Sequence, residues 1–411
     1  MSKMTFGRYD YAACLTFASY AICSLVIPMC LVPLAASMGF PLEDGGMGLG
    51  GALQLGRSIP MVAAMLLCGF ASGIWGKRRT LGWSILLMSM GIMACAIAPV
   101  YGMLFAALAI AGLGEGVIEG LATPFIQDLH PDQPGRYLNF SHAFWSVGVV
   151  AIVLAAGALL YFGVEWRAIV LGTGFVALVP ALLLLFPARN TSLSDRFVKS
   201  HWKDVCADTL AIVRQKRFWL FFAAMFFAGG GEFCLTFWCA SFIQLEYAGS
   251  AWAAGAGTAC FATGMIVGRL GSGILIHQQH LKKLIVAMAF MATVVCLFFP
   301  WLNSLWVLFI LLFLSGIAAG PFWPSIQSDG AHRVQGDYTM MMILFSCAGV
   351  PGCGFFTTAI GVLGDWVGLR MSFLIVPACF FVVLLLMGYD WLSETRENKQ
   401  KVAAASARMS A

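Results

Sequence analysis

The chain has 411 residues, 60% of them apolar and only 10% charged, with a net charge of +5 at pH 7. An ordinary soluble domain carries about 25% charged residues, so water is excluded as the main solvent of this fold. The basic residues sit in short segments between long apolar runs, which argues against nucleic-acid binding, since that needs a basic patch on a soluble face.

A helix needs roughly 20 predominantly apolar residues to cross about 30 Å of hydrocarbon. Twelve runs qualify, at 11–34, 51–74, 81–98, 101–125, 138–161, 167–187, 218–244, 250–275, 284–301, 304–327, 338–362 and 367–390. They are long and do not alternate, so they read as helices rather than barrel strands. The predicted class is an all-α membrane protein with twelve transmembrane helices. With the N-terminus inside, all 24 Lys and Arg except Arg57, Arg167, Arg269 and Arg370 fall on the inner side. The positive-inside rule then puts both termini and the long middle loop in the cytoplasm, and the expected location is a bacterial inner membrane. The first run is too long for a signal-peptide core and is read as a retained span.

In chain order, span one carries Tyr20 and Ser24, and span two carries Arg57. Lys77 and Arg78 follow span two as candidate gating charges. Span four holds Glu115 and Glu119, spaced i,i+4 and therefore on one helix face. An ionised side chain at the centre of a span costs roughly 2.5 to 3.5 kcal/mol, so such residues usually face a polar cavity or a partner. A carboxyl in apolar surroundings beside a like charge holds a proton more readily, which suits a proton-coupling role. By helical rise, Arg57 and Glu115 lie at comparable depth, as do Glu119 and His142. A charge pair between spans two and four would leave Glu119 as the titrating group.

Span five supplies Asn139, His142, Trp145 and Ser146 as candidate substrate contacts. Residues 189–217 form the one long polar interior segment, a linker between a bundle at 1–188 and a bundle at 218–392. Span seven holds Gly229-Gly230-Gly231 directly before Glu232, the third carboxylate well inside a span, and then Trp238. Successive glycines weaken a helix by about 1 kcal/mol each relative to alanine, so a kink is expected beside Glu232. Span eight carries Arg269, and span ten carries Trp323 and Gln327. The tail, 393–411, is rich in Lys, Ala and Ser and is expected to be disordered. Of the 13 cysteines only Cys206 lies outside the spans, and they read as small buried apolar residues with no disulfide framework.

A constant shift of 200 residues aligns Ser72-Gly73-Ile74 with Ser272-Gly273-Ile274, and Pro124, Ile126 and Gln127 with Pro324, Ile326 and Gln327. Both matches fall at the inner ends of equivalent spans, so a duplicated six-helix unit is predicted. Six helices is an even number, so the copies are parallel repeats about an axis along the membrane normal. The expected fold is the major facilitator fold, with two six-helix bundles and a substrate site between them near the bilayer midplane.

The segment Gly69-Phe70-Ala71-Ser72-Gly73-Ile74-Trp75-Gly76-Lys77-Arg78-Arg79 resembles the signature of major facilitators between spans two and three, with Gly73 at its acidic position. The stretch from Gly114 to Phe125, followed by Leu138 to Gly148, resembles the fucose:proton symporter family. The shared pattern is a Glu, Pro-Phe five residues on, then Leu-Asn, Phe, Ser and Gly at fixed spacing. That resemblance implies a span-four carboxyl, here Glu119, that is protonated while a monosaccharide is moved. It departs at Ser24, where the family has an Asp four residues before a proline, and at His142, where it has a sugar-binding glutamine.

Together these readings predict a proton-coupled symporter of a sugar or similar hydroxylated solute, working by alternating access. The alternative is a proton-coupled antiporter exporting drugs or metabolites. The expected partners are protons, a small solute and the bilayer, with no cofactor, no metal, no nucleic acid and a monomeric state. No nucleophile with base and orienting partner, HExxH motif or phosphate-cradling glycine loop is present, so an enzyme is not expected.

Overall fold

The structure, a computed structural model, describes residues 5–130, 134–186, 202–276 and 280–409. The helices are α1 (Arg8–Met29), α2 (Leu31–Ser37), α3 (Met47–Trp75), α4 (Lys77–Ile97), α5 (Tyr101–Leu129), α6 (Pro134–Tyr161), α7 (Trp166–Leu185) and α8 (Trp202–Val213). They continue with α9 (Lys216–Glu246), α10 (Ala251–Leu275), α11 (Leu281–Leu297), α12 (Leu305–Ala319), α13 (Phe322–Arg333), α14 (Tyr338–Val367), α15 (Leu369–Ser372) and α16 (Ile375–Met409). Among the described residues there are twelve helical stretches long and apolar enough to cross a membrane, and no strands.

Several elements differ from the sequence expectation for local reasons. Span ten is broken into α12 and α13 at Gly320-Pro321, because Pro321 has no backbone N–H to continue the ladder. The linker is not wholly irregular, since it contains α8. The tail is not a coil either: α16 runs on to Met409. Its extension is held by a charge cluster in which Lys282 bonds Asp390 and, at 2.6 Å, Glu394, while Arg333 bonds Glu394 at 2.6 Å and Arg217 bonds Asp390 at 2.9 Å. These bonds join α9, α11, α13 and α16 at one end of the molecule, here called the basic end. The first half of the linker, up to residue 201, lies outside the described residues.

Two six-helix bundles pack internally through small residues. A Cβ on Gly116 would collide with the Met61 carbonyl, and one on Gly316 with the Phe261 carbonyl. These contacts are related by the same shift of 200 residues that the sequence shows, so the two bundles repeat one packing solution. The expected kink at Gly229-Gly230-Gly231 is absent, because α9 runs unbroken from Lys216 to Glu246. The three glycines instead admit close neighbours: Gly349 backbone, the Phe356 ring and the Phe380 ring would each meet an added Cβ.

The bundles meet along α3 with α14, α6 with α10, and α1 with α9. At the end opposite the basic one the seam is tight. Gly51 abuts Thr357, Gly361 abuts Met47, Gly157 abuts Gly255, and the Thr358 hydroxyl donates to the Gly51 carbonyl at 3.1 Å. Asp365 closes this end by accepting from the Met47 and Gly48 amides at 2.9 and 2.8 Å, so a carboxylate from α14 covers the N-terminus of α3. Towards the basic end, Gly69, Gly73, Gly271 and Gly273 face open space and His142 is exposed. The interface is therefore tight at one end and open towards the basic end, and the open part, which His142 and the part-exposed Glu119 reach, is here called the central hollow.

Candidate functional site in the central hollow

Met61 and Met65 of α3 and Val350 of α14 form a small apolar cluster of their own, with Tyr20, Trp323 and Cys347 packed against it. This cluster roofs the hollow beneath the tight seam. Trp323 lies against Gly349, where any Cβ would strike its ring.

Below the roof, Glu119 on α5 is partly buried and accepts a 3.5 Å bond from the Ser346 hydroxyl on α14 of the other bundle. Ser346 in turn accepts from the Gln327 amide at 3.0 Å, and Gln327 also donates to the Met342 carbonyl. A chain of polar groups thus runs from Glu119 across the interface to α13. Tyr20 lies within electrostatic reach of Glu119. One turn along α5, the Thr123 hydroxyl bonds His142 Nε2 at 3.1 Å, and Phe17 packs its ring 4.3 Å from the imidazole.

The second bundle contributes Arg269 and Glu232. Arg269 Nη2 donates to Glu232 Oε1 at 2.9 Å, Nε donates to the Gly320 carbonyl at 2.9 Å, and the guanidinium carbon sits 5.2 Å from the Trp145 ring of the opposite bundle. The Gly320 carbonyl is within reach because the helix is interrupted there.

Glu115 has a different setting from Glu119. Arg57 donates to both of its oxygens, from Nε at 2.6 Å and from Nη2, and both side chains are almost fully buried. The remaining Arg57 bonds go to the Ser24 and Cys23 carbonyls at 3.0 Å each and to the Ser24 hydroxyl oxygen at 3.5 Å. The Ser24 carbonyl lacks a helical partner because Pro28, four residues on, has no N–H. Arg57 therefore satisfies both a buried carboxylate and a proline-made gap in α1.

Of the residues singled out from sequence, Tyr20, Glu119, His142, Trp145, Glu232, Arg269, Trp323 and Gln327 converge on the hollow or its roof. Others do not. Trp238 is fully buried and its indole N–H is spent on the Thr357 carbonyl at 3.0 Å, so it is a packing residue that ties α9 to α14 within the second bundle and not a solute contact. Ser24 and Ser146 are buried, and Ser24 serves the Arg57 pair. Lys77 pairs with Asp128 at 2.7 Å on the rim of the basic end, and Arg78 is buried against the Leu184 carbonyl and the Tyr9 ring, so both tie helices of the first bundle. Asn139 lies on α6, and its side chain falls outside the described residues. Ser346 and Thr123 were not singled out from sequence. Nothing separates a lone serine or threonine in an apolar span from one that bonds its own helix.

Twelve membrane-length helices, two bundles related by a repeat and a polar hollow between them define a membrane transporter, not an enzyme. The chain belongs to the Major Facilitator Superfamily, whose family model matches residues 12–350. A Haemophilus influenzae protein provisionally named for metabolite transport is 30% identical over 138 residues, and the match spans 33% of each chain. Among solved structures, the chain is similar to the fucose:proton symporter of E. coli, with 19% identity, a TM-score of 0.64 and coverage of 92% of this chain and 98% of that one. It is also similar to a D-xylose–proton symporter, with 13% identity, a TM-score of 0.75 and coverage of 92% and 96%. A nucleoside transporter gives 13% identity, a TM-score of 0.75 and coverage of 93% and 99%. At these identities the likeness is one of fold.

Proposed function

We propose that the protein is a proton-coupled symporter that moves a sugar or similar hydroxylated solute by alternating access between its two bundles. The observation that carries the reading is the setting of Glu119: of the two carboxylates well inside spans of the first bundle, Glu115 is bonded to Arg57, whereas the hydrogen-bond partner of Glu119 is Ser346 of the other bundle. A group bonded across a moving interface changes its surroundings with each half-cycle, so its hold on a proton changes with it. Two of the similar solved structures are named as sugar–proton symporters, which agrees with this reading. The hollow's aromatic faces at Tyr20, Trp145 and Trp323, with the Gln327 amide and Ser346 hydroxyl, suit a solute with apolar faces and several hydroxyls.

In this reading the basic end faces the cytoplasm of a bacterium, following the distribution of Lys and Arg. The bundles correspond to residues 1–188 and 218–392, and the protein acts as a monomer. The test is external pH in energy-depleted cells on adding candidate sugars. Alkalinisation that follows the sugar gradient is expected. Solute movement with no proton movement would overturn the reading.

A further inference from the structure

We propose that Arg269 is an anion receptor whose resting counter-ion is Glu232, and that the transported solute is a small hydroxylated acid carrying a carboxylate. The proposal rests on the proton-coupled reading above and narrows its substrate class.

Among the described residues, besides the pairs Arg333–Glu394 and Arg370–Glu246 near helix ends, the membrane-length helices hold one further Arg–Glu pair per bundle, and these two are built differently. Arg57 and Glu115 are joined through both carboxylate oxygens, with side chains only 3% and 1% exposed and the spare donors consumed by carbonyls. Nothing in that pair is left to bind a solute. Arg269 and Glu232 share a single bond, with the arginine side chain 26% exposed. Glu232 Oε2 is buried without a hydrogen-bond partner, although the residue as a whole is 9% exposed. A buried carboxylate oxygen left unpaired carries its desolvation cost uncompensated. Adding a proton to Glu232 removes that cost and the attraction to Arg269 together.

A released Arg269 would face the hollow with the fork geometry that accepts a carboxylate through two parallel bonds. Trp145, 5.2 Å from the guanidinium carbon, offers a flat face to the carbon skeleton beside that carboxylate, while Gln327 and Ser346 offer polar groups to its hydroxyls. A neutral hydroxyl cannot compete with Glu232 for the guanidinium in this way. The other ionisable groups in electrostatic reach are Glu119 and His142 around Arg269, and Cys353 beside Glu232. One proton taken by Glu232 and one carboxylate taken by Arg269 leave the hollow's net charge unchanged. On release, the solute departs, the proton leaves Glu232 and the resting pair re-forms.

The test uses the full-length protein in detergent, titrated with galacturonate, gluconate and glycerate against galactose, sorbitol and glycerol. Each neutral compound replaces the carboxylate by a hydroxymethyl group. Titrations are run at about pH 5.5 and about pH 7.5, on either side of the range in which a perturbed carboxyl titrates. At least one acid is expected to bind at least about tenfold more tightly than its neutral partner, and more tightly at the lower pH. Arg269→Gln should lose at least about tenfold of that affinity, with Arg269→Lys keeping part of it. Glu232→Gln should bind the acid with no pH dependence, a readout that does not require the arginine variant to fold. Equal binding of an acid and its neutral partner, no binding of any acid, unchanged acid affinity in Arg269→Gln, or retained pH dependence in Glu232→Gln would each overturn the proposal. Gradient-driven acid uptake at the parent level in Glu119→Gln would remove the Glu119 reading and leave the anion receptor standing.

Discussion

Arg57 on α3 closes both of its charged faces at once, gripping Glu115 on α5 and filling the carbonyl gap that Pro28 leaves at Ser24 on α1. Removing one member of a buried pair leaves the other as an uncompensated charge, at a cost of about 3–5 kcal/mol. Arg57→Met and Glu115→Leu should each lower the thermal midpoint in detergent sharply. The double variant should recover much of the loss on the Glu115 side, though the Ser24 carbonyl stays unpaired. Single variants as stable as the parent would show that the pair is not what holds α1, α3 and α5 together.

Close packing at the α9 glycines gives a second expectation. Gly230→Ala pushes a methyl into the Phe356 ring, and overpacking of this kind costs about 1–3 kcal/mol. Phe356→Leu in the same chain should return part of that stability, because the obstacle is a side chain. Gly229→Ala meets the Gly349 backbone, so no side-chain change should rescue it. Thermal midpoints of Gly230→Ala and Gly229→Ala, each with and without Phe356→Leu, decide the matter. Equal rescue at both sites would mean that the glycines serve flexibility instead.

Asp365 gives a third. Its carboxylate covers two amides at the α3 N-terminus across the bundle seam. Such a charge is worth about 0.3–1 kcal/mol, so Asp365→Ala should shift the balance towards opening at that end by up to about fivefold. The reporter is thiol labelling of Thr358→Cys, which sits in the seam, in a Cys206→Ser background because Cys206 is exposed. Labelling should rise by about that factor, and an unchanged rate would mean that the carboxylate does not latch the seam.

The twelve spans and their duplicated packing were legible because they depend on coarse quantities: run length and a repeat that keeps one offset. The Arg57–Glu115 contact was legible too, since depth along two helices follows from a fixed rise per residue. The breaks were harder. Gly320-Pro321 splits span ten, but Pro28 lies inside α1 and Pro124 inside α5, so a proline alone does not say whether a helix stops. The triple glycine was read as weakness when its effect is proximity, a property of the neighbours it meets. Trp238 and Trp145 look alike in sequence, yet one is locked between helices of its own bundle and the other faces Arg269 of the opposite bundle. That distinction depends on helix rotation, which hydropathy does not report when nearly every face is apolar. The tail misled by composition: its helix is anchored by Lys282 and Arg333, whose partner Glu394 lies far along the chain.

The central claim is that Glu119 exchanges a proton as the bundles rock, and Glu119→Gln in proteoliposomes tests it most directly. With any solute that the parent protein accumulates, the variant should retain exchange of labelled for unlabelled solute while losing uptake driven by an imposed pH gradient. Gradient-driven uptake at the parent level in Glu119→Gln would contradict the account.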